Sequence, residues 1–342
     1  MQGTDFIRKM PKIDLHCHLD GSLPPETAQR ILADMGETWT IRQVKESMEA
    51  PEDCRNLADY LACFDLPIRC LQTAGALEIC AYDMAVRAAL ENTVYLEARF
   101  APSTQGLLGM GVREAIEAVE KGLKRAELET GIETGIIVCA MRHLPEEVNL
   151  DMFRKARELL GSGVAACDIA GDEASWPMAR FRDLFAEARR LGMPFTIHAG
   201  ECGSRENIYE AIDLGAARIG HGTAAAGDRV LQKTAADKGV CFEICPTSNV
   251  QTSILPDYRR SPIREFMEAG IPVAVSTDNR TVSSTDLTEE FEKLETFTSL
   301  TREDMERIYF DSLSAAFAGD DVKERLYRKG KAFFGRCPGG MG

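Results

Sequence analysis

The chain has 342 residues, with 54 Asp and Glu against 40 Lys and Arg and a formal net charge of −14. That field repels phosphate polymers and anionic bilayers, and no Lys/Arg run is dense enough to override it, so neither nucleic acid nor membrane is an expected partner. Eleven scattered cysteines without C-x-x-C spacing, several inside apolar runs, exclude a disulfide framework and fit a reducing compartment. Met1 to Lys12 holds no apolar stretch of signal length, and no run approaches the ~18 apolar residues of a membrane-spanning helix, so a cytoplasmic location is expected.

Eight short apolar or β-branched runs predict strands, in chain order Ile13–Leu19, Val94–Phe100, Thr134–Met141, Val164–Ala170, Pro194–Gly200, Arg218–Gly222, Val240–Cys245 and Pro272–Ser276. Most are continuously apolar, as parallel strands covered on both faces must be. Helical spacing falls between them, at Val112–Glu129, Met178–Leu191, Arg229–Lys238 and Ile263–Ala269. Glycines follow three of these segments, at Gly192, Gly239 and Gly270, where a C-terminal stop is needed before the next strand. This alternation predicts an α/β fold, a (β/α)8 TIM barrel forming a single domain over residues 1–342. The interval from about Thr27 to Ala88 is long for one crossover and is expected to place extra helices across one barrel end. Thr301–Phe317 and Val322–Phe334 are expected to close the C-terminus, with Cys337–Gly342 as a loose Gly-rich tail.

Four of the five histidines (His16, His18, His198 and His221) fall at C-terminal ends of predicted strands, where barrels build their active sites. His16 and His18 are two residues apart, so both rings face one side of the strand and Cys17 faces the other. In isolation such a pair reads as readily as two satisfied buried polar residues as it does a metal site. His198 ends the fifth strand, with Glu201 three residues on. A third imidazole suits zinc, whose usual ligands are His, Cys and carboxylates. Asp278 ends the eighth strand, which neighbours the first in a closed barrel, and a carboxylate there is costly unless it is paired or bound to a cation. His221 lies between glycines that permit close backbone approach. Thr285–Glu290 reads as a helix cap with Asp286 structural, and His143 is a loop residue without an assigned role.

Seven segments in chain order resemble the adenosine deaminase family of the amidohydrolase superfamily. They are Pro11–Ser22 (PKIDLHCHLDGS), Val94–Pro102 (VYLEARFAP), Asp168–Glu173 (DIAGDE), His198–Glu201 (HAGE), Gly220–Thr223 (GHGT), Phe242–Asn249 (FEICPTSN) and Ser276–Asp278 (STD). The resemblance implies one zinc per chain held by His16, His18, His198 and Asp278. It implies Glu201 as proton donor to purine N1 and His221 as the residue that orients and helps deprotonate the zinc water. Asp20 would accept a hydrogen bond from a ribose hydroxyl beside His18, and Gly171 would offer its N–H to purine N3. The implied activity is hydrolytic deamination of adenosine, and of 2′-deoxyadenosine, in purine salvage.

One position departs from the family pattern. Many relatives carry two acids in a row at the eighth strand, and here the second is Asn279. An amide donates to purine N7 without the protonation an acid needs, or Asn279 is a turn residue only. The open alternatives are adenine or 5′-methylthioadenosine as substrate, a two-metal amidohydrolase, and an inactive nucleoside-binding barrel. A two-metal site needs a bridging Lys, and the second to fourth strands contain none. An inactive barrel would lose acid or ligands that are present here. The H-x-E…P-C-x-x-C signature of the cytidine-deaminase type is absent. Oligomeric state is not legible in the sequence.

Overall fold

Eight parallel strands, β1 (Lys12–His18), β2 (Thr93–Phe100), β3 (Glu133–Met141), β4 (Val164–Ala170), β5 (Thr196–Ala199), β6 (Arg218–His221), β7 (Cys241–Ile244) and β8 (Val273–Val275), organise the chain. The computed structural model describes residues 3–51, 54 and 56–335, so the expected tail from Cys337 lies outside them. The strands run as two four-stranded sheets in sequential order, β1-β2-β3-β4 and β5-β6-β7-β8. Single bridges join the sheets at both seams, Cys167 to Phe195 between β4 and β5 and Cys17 to Asp278 between β1 and β8. The second seam is reinforced by three hydrogen bonds. His18 N–H donates to Asp278 O at 2.7 Å, Asp278 N–H to His16 O at 2.8 Å, and Thr277 Oγ1 to Asp14 Oδ2 at 2.7 Å. The fold is the expected α/β barrel.

The strands are buried on both faces because helices cover them, which is why their sequences lack alternation. Between β1 and β2 lie five helices, Pro25–Asp34, Ile41–Met48, Leu57–Leu61, Asp65–Cys70 and Ala74–Leu90, in the interval expected to hold extra helices. The C-terminus closes with Arg302–Ala315 and Asp320–Phe334. Asp286 caps the helix Leu287–Thr298 by accepting from Glu289 N–H. The segment expected as one helix at Met178–Leu191 opens instead with a 3-10 turn, Met178–Phe181, before the α-helix Arg182–Arg190. Its amphipathic spacing extends through a first turn whose backbone is tied elsewhere, since Met178 N–H bonds Asn207 Oδ1. Among the described residues no helix is long and apolar enough to cross a membrane, and Cys17, Cys63, Cys70, Cys80, Cys139, Cys167, Cys202, Cys241 and Cys245 are free thiols.

The helices Ala74–Leu90 and Val112–Thr130 approach closely at Gly122. A Cβ there would stand 2.2 Å from Glu78 O and 3.0 Å from Ala81 Cβ. Gly122→Ala is therefore expected to lower stability in urea unfolding by ~1–3 kcal/mol through overpacking, against a helix-propensity gain of ~1 kcal/mol. An equal or raised midpoint would contradict this packing.

Candidate metal centre and active site

β1, β5, β6 and β8 end at one rim, and their terminal side chains converge. His16, His198, His221 and Asp278 each offer one ligand atom within 4.8 Å of the others, all four buried. His18 belongs to the same cluster, with Nε2 3.2 Å from His198 Nε2 and 3.4 Å from Asp278 Oδ1. His16 Nε2 lies 3.3 Å from the same Asp278 oxygen and has no hydrogen-bond partner. A tetrahedral ion with ~2.0–2.1 Å bonds holds its ligand atoms ~3.3–3.4 Å apart. The three separations among His16, His18, His198 and Asp278 match that edge. Cys17, on the opposite strand face, meets Ser22 Oγ at 3.4 Å. The donor set therefore fits a single divalent metal of the zinc type.

The rings are backed from behind. His16 Nδ1 stands 2.7 Å from Glu243 Oε2, and His198 Nδ1 stands 2.9 Å from Asp168 Oδ2. A carboxylate only accepts, so each ring in its neutral form carries its proton on Nδ1 and presents the Nε2 lone pair inward, as a bound cation would require. His221 differs, because its Nδ1 meets the Asn249 amide at 2.9 Å. An amide can serve either tautomer by turning over. His221 can thus exchange a proton at Nε2, which lies 3.6 Å from Glu201 Oε1.

These carboxylates sit in a wholly buried charge network. Arg99 bridges Asp168 at 2.8 Å and Glu243 at 3.0 Å, while Arg218 bridges Glu243 at 2.5 Å and Glu97 at 2.6 Å. Burial opposes ionisation of Glu243, but Arg99 and Arg218 outweigh it and hold the carboxyl well below its usual range. Burial likewise opposes Asp168, yet His198 and Arg99 keep its pKa down. At His16, burial and Arg99 disfavour the imidazolium, but Asp278 and Glu243 prevail and push the pKa up. Burial drives His18, His198 and His221 down, towards neutral imidazoles. His221 and Asp278 both adopt left-handed backbone, at φ 64° and 59°, strain that non-glycine residues sustain where the surrounding structure fixes them.

A cavity of about 450 Å³ opens onto this cluster. His18, Asp20, Gly171, His198, Glu201, His221, Asp278 and Asn279, eight of the nine residues singled out for chemistry or substrate contact, line it; His16 lies behind them. Burial, aided by Asp278 and Glu173 and opposed by Arg142, raises the Glu201 carboxyl well above its usual range. Burial lifts Asp20 to about 6. Gly171 has φ 102°, a conformation that a side chain would strain. Asn279 donates through Nδ2 to Tyr60 OH at 3.0 Å, and Tyr60 OH pairs with Ser283 Oγ at 2.7 Å. His143 stands exposed at the cavity mouth. Sequence reasoning assigned no role to Arg99, Asp168, Glu243, Asn249 or Tyr60. Charged residues interrupting apolar strands were the available signal for the first three.

A parallel α/β barrel carrying a buried, carboxylate-backed His/Asp cluster at the C-terminal ends of its strands defines an amidohydrolase-type barrel. The family model for adenosine deaminase matches residues 11–331, and the chain belongs to that family. It is 40% identical over 325 residues to an adenosine deaminase of Enterococcus faecalis, covering 94% of this chain and 96% of the relative. It is 42% identical over 330 residues to that of Vibrio atlanticus, covering 94% and 98%. Among solved structures, an adenine deaminase from Arthrobacter aurescens superposes with a TM-score of 0.88 at 23% identity, covering 95% of this chain and 99% of that one. The N6-methyl-AMP deaminase of Arabidopsis thaliana gives 0.85 at 25%, covering 98% and 99%.

Replacing the carboxylate behind His198, as Asp168→Asn, is expected to weaken metal retention ~10- to 100-fold in a chelator competition. Retention equal to wild type would contradict the backing role.

Proposed function

We propose that this protein is a zinc-dependent adenosine deaminase, converting adenosine and 2′-deoxyadenosine to the 6-oxo nucleoside and ammonia in purine salvage. The observation that carries the reading is a protonated-type acid, Glu201, in one cavity with the His/Asp cluster, in a chain about 40% identical to adenosine deaminases over nearly its whole length.

His16, His18, His198 and Asp278 would hold the metal. Zinc bound there supplies Lewis acidity and a water with its pKa lowered to ~7. The remaining steps belong to the chain. Glu201 donates its proton to purine N1, which makes C6 electrophilic. His221 aligns the attacking water over C6 and accepts its proton, a task suited by its amide-backed tautomer. His221 passes that proton to the amino group, which leaves the tetrahedral carbon as ammonia, and the C6 hydroxyl proton returns to Glu201 as the 6-oxo group forms. Gly171 N–H supports purine N3, and the second N–H of Asn279 Nδ2, beyond the one given to Tyr60, supports N7. Asp20, ionised at neutral pH with its carboxyl raised only to about 6, accepts from a sugar hydroxyl beside His18. The same charge repels a 5′-phosphate, which favours nucleosides over nucleotides.

Absorbance assays with adenosine, deoxyadenosine, adenine and methylthioadenosine, each with a chelator control, test the reading. Adenosine and deoxyadenosine are expected to be turned over fastest, and a zinc-loaded protein inert towards every aminopurine would overturn it. Glu201 acts protonated and burial raises its pKa, so the alkaline limb of kcat/KM is expected at a higher pH than an ordinary carboxyl would set; an acid limb is expected where Asp20, raised to about 6, loses its charge. Glu201→Gln should keep its metal and lose ~10²–10⁴-fold in kcat. Full activity would remove Glu201 as the acid. Asn279→Leu should lower kcat/KM for adenosine by about 10-fold, the worth of one hydrogen bond of ~1.4 kcal/mol. An unchanged value would take Asn279 out of the site.

A further inference from the structure

We propose that Glu173 is a positioning residue that fixes the acid Glu201 relative to the purine-facing Gly171, by clamping the turn after β5 to the loop after β4. The inference rests on the deaminase reading of the site. Glu173 lies two residues beyond Gly171 and is 1% exposed. Its Oε1 accepts from Gly200 N–H at 2.6 Å and from Asn207 Nδ2 at 2.8 Å, and its Oε2 accepts from Cys202 N–H at 3.0 Å. Gly200 and Cys202 are the two neighbours of Glu201, so one carboxylate grips the chain on both sides of the acid. Asn207 extends the clamp, because its Oδ1 accepts from Met178 N–H at 2.9 Å at the far end of the β4 loop. Arg142 closes the opposite side, donating to Trp176 O at 2.5 Å and to His198 O at 2.7 Å.

The clamp demands a carboxylate. All three partners of Glu173 are donors, and a glutamine would turn its own N–H groups on at least one of them. Glu173 touches neither the cavity nor a candidate metal ligand, so its effect on chemistry passes through Glu201. Around Glu201 stand Asp278 and Glu173 with negative charge, Arg142 with positive charge, and His221 Nε2 at 3.6 Å. The negative charge of Glu173 also supports the raised Glu201 carboxyl.

A double-mutant cycle tests this, with wild type, Glu173→Gln, Glu201→Gln and the pair assayed on adenosine and analysed for metal. Glu173→Gln is expected to keep wild-type metal content and a KM within about threefold, while kcat falls ~10- to 100-fold, as misplacing a catalytic group by ~1 Å does. In the Glu201→Gln background the same change should cost less than about threefold, because the residue it positions is gone. Equal losses in both backgrounds, or a folded Glu173→Gln with wild-type kcat, overturn the proposal. If Glu173→Gln does not fold, Asn207→Ala, which removes the bonds to Glu173 and Met178 but leaves Glu173 on Gly200 and Cys202, carries the same cycle with a smaller loss, and an unchanged kcat there overturns it equally. Wild-type protein without deaminase activity sinks the reading beneath the proposal, whereas an active wild type with an indifferent Glu173 sinks the proposal alone.

Discussion

Burying charge without water is the constraint on which this barrel turns. Glu97, Arg99, Asp168, Arg218 and Glu243 lie fully inside it, where an unpaired ion costs several kcal/mol. The cost is met by alternation, with each guanidinium held between two carboxylates from different strands. The same pairs tie β2, β4, β6 and β7 across the barrel interior, so register and charge pairing specify each other. The network carries one carboxylate more than it has guanidiniums. Asp278 at the rim adds a second uncompensated negative charge. Together they would balance a divalent cation at the imidazole cluster, which couples the charge network to the candidate metal site.

The network also fixes proton positions. Glu243 and Asp168 accept only, so they set the tautomers of His16 and His198 and leave both inner nitrogens as lone-pair donors. His221 has an amide behind it and keeps the freedom to gain or lose a proton. In the proposed mechanism the ligands His16 and His198 and the proton carrier His221 thus differ in what stands behind the ring. His221 belongs geometrically to the same cluster as the ligands, so distance alone does not separate the two roles. Strain falls at the same rim, where His221 and Asp278 hold left-handed backbone that the β1–β8 seam and the neighbouring strands enforce.

Much of this was legible in the sequence because strands here are short apolar runs and chemistry sits at their ends. His16, His18, His198, His221 and Asp278 could be placed from strand position alone, before any partner was known. The helices Glu146–Arg157 and Arg205–Leu214, of 12 and 10 residues, were not anticipated in the sequence. Asp168 and Glu243 stood in plain sight inside apolar strands, but their partners lie 25 to 227 residues away in the chain, and no local pattern encodes such pairing. Tyr60 was invisible for a different reason. It reaches Asn279 from the short helix Leu57–Leu61, in a segment whose path over the barrel mouth is set by tertiary packing.

On this reading, one metal ion held by a carboxylate-backed cluster makes this family member a deaminase. Chelator-stripped protein titrated with zinc, with adenosine deamination followed at each addition, tests it most directly. Activity is expected to rise linearly and to saturate at one zinc per chain. Saturation at two, or full activity in the stripped protein, would contradict it.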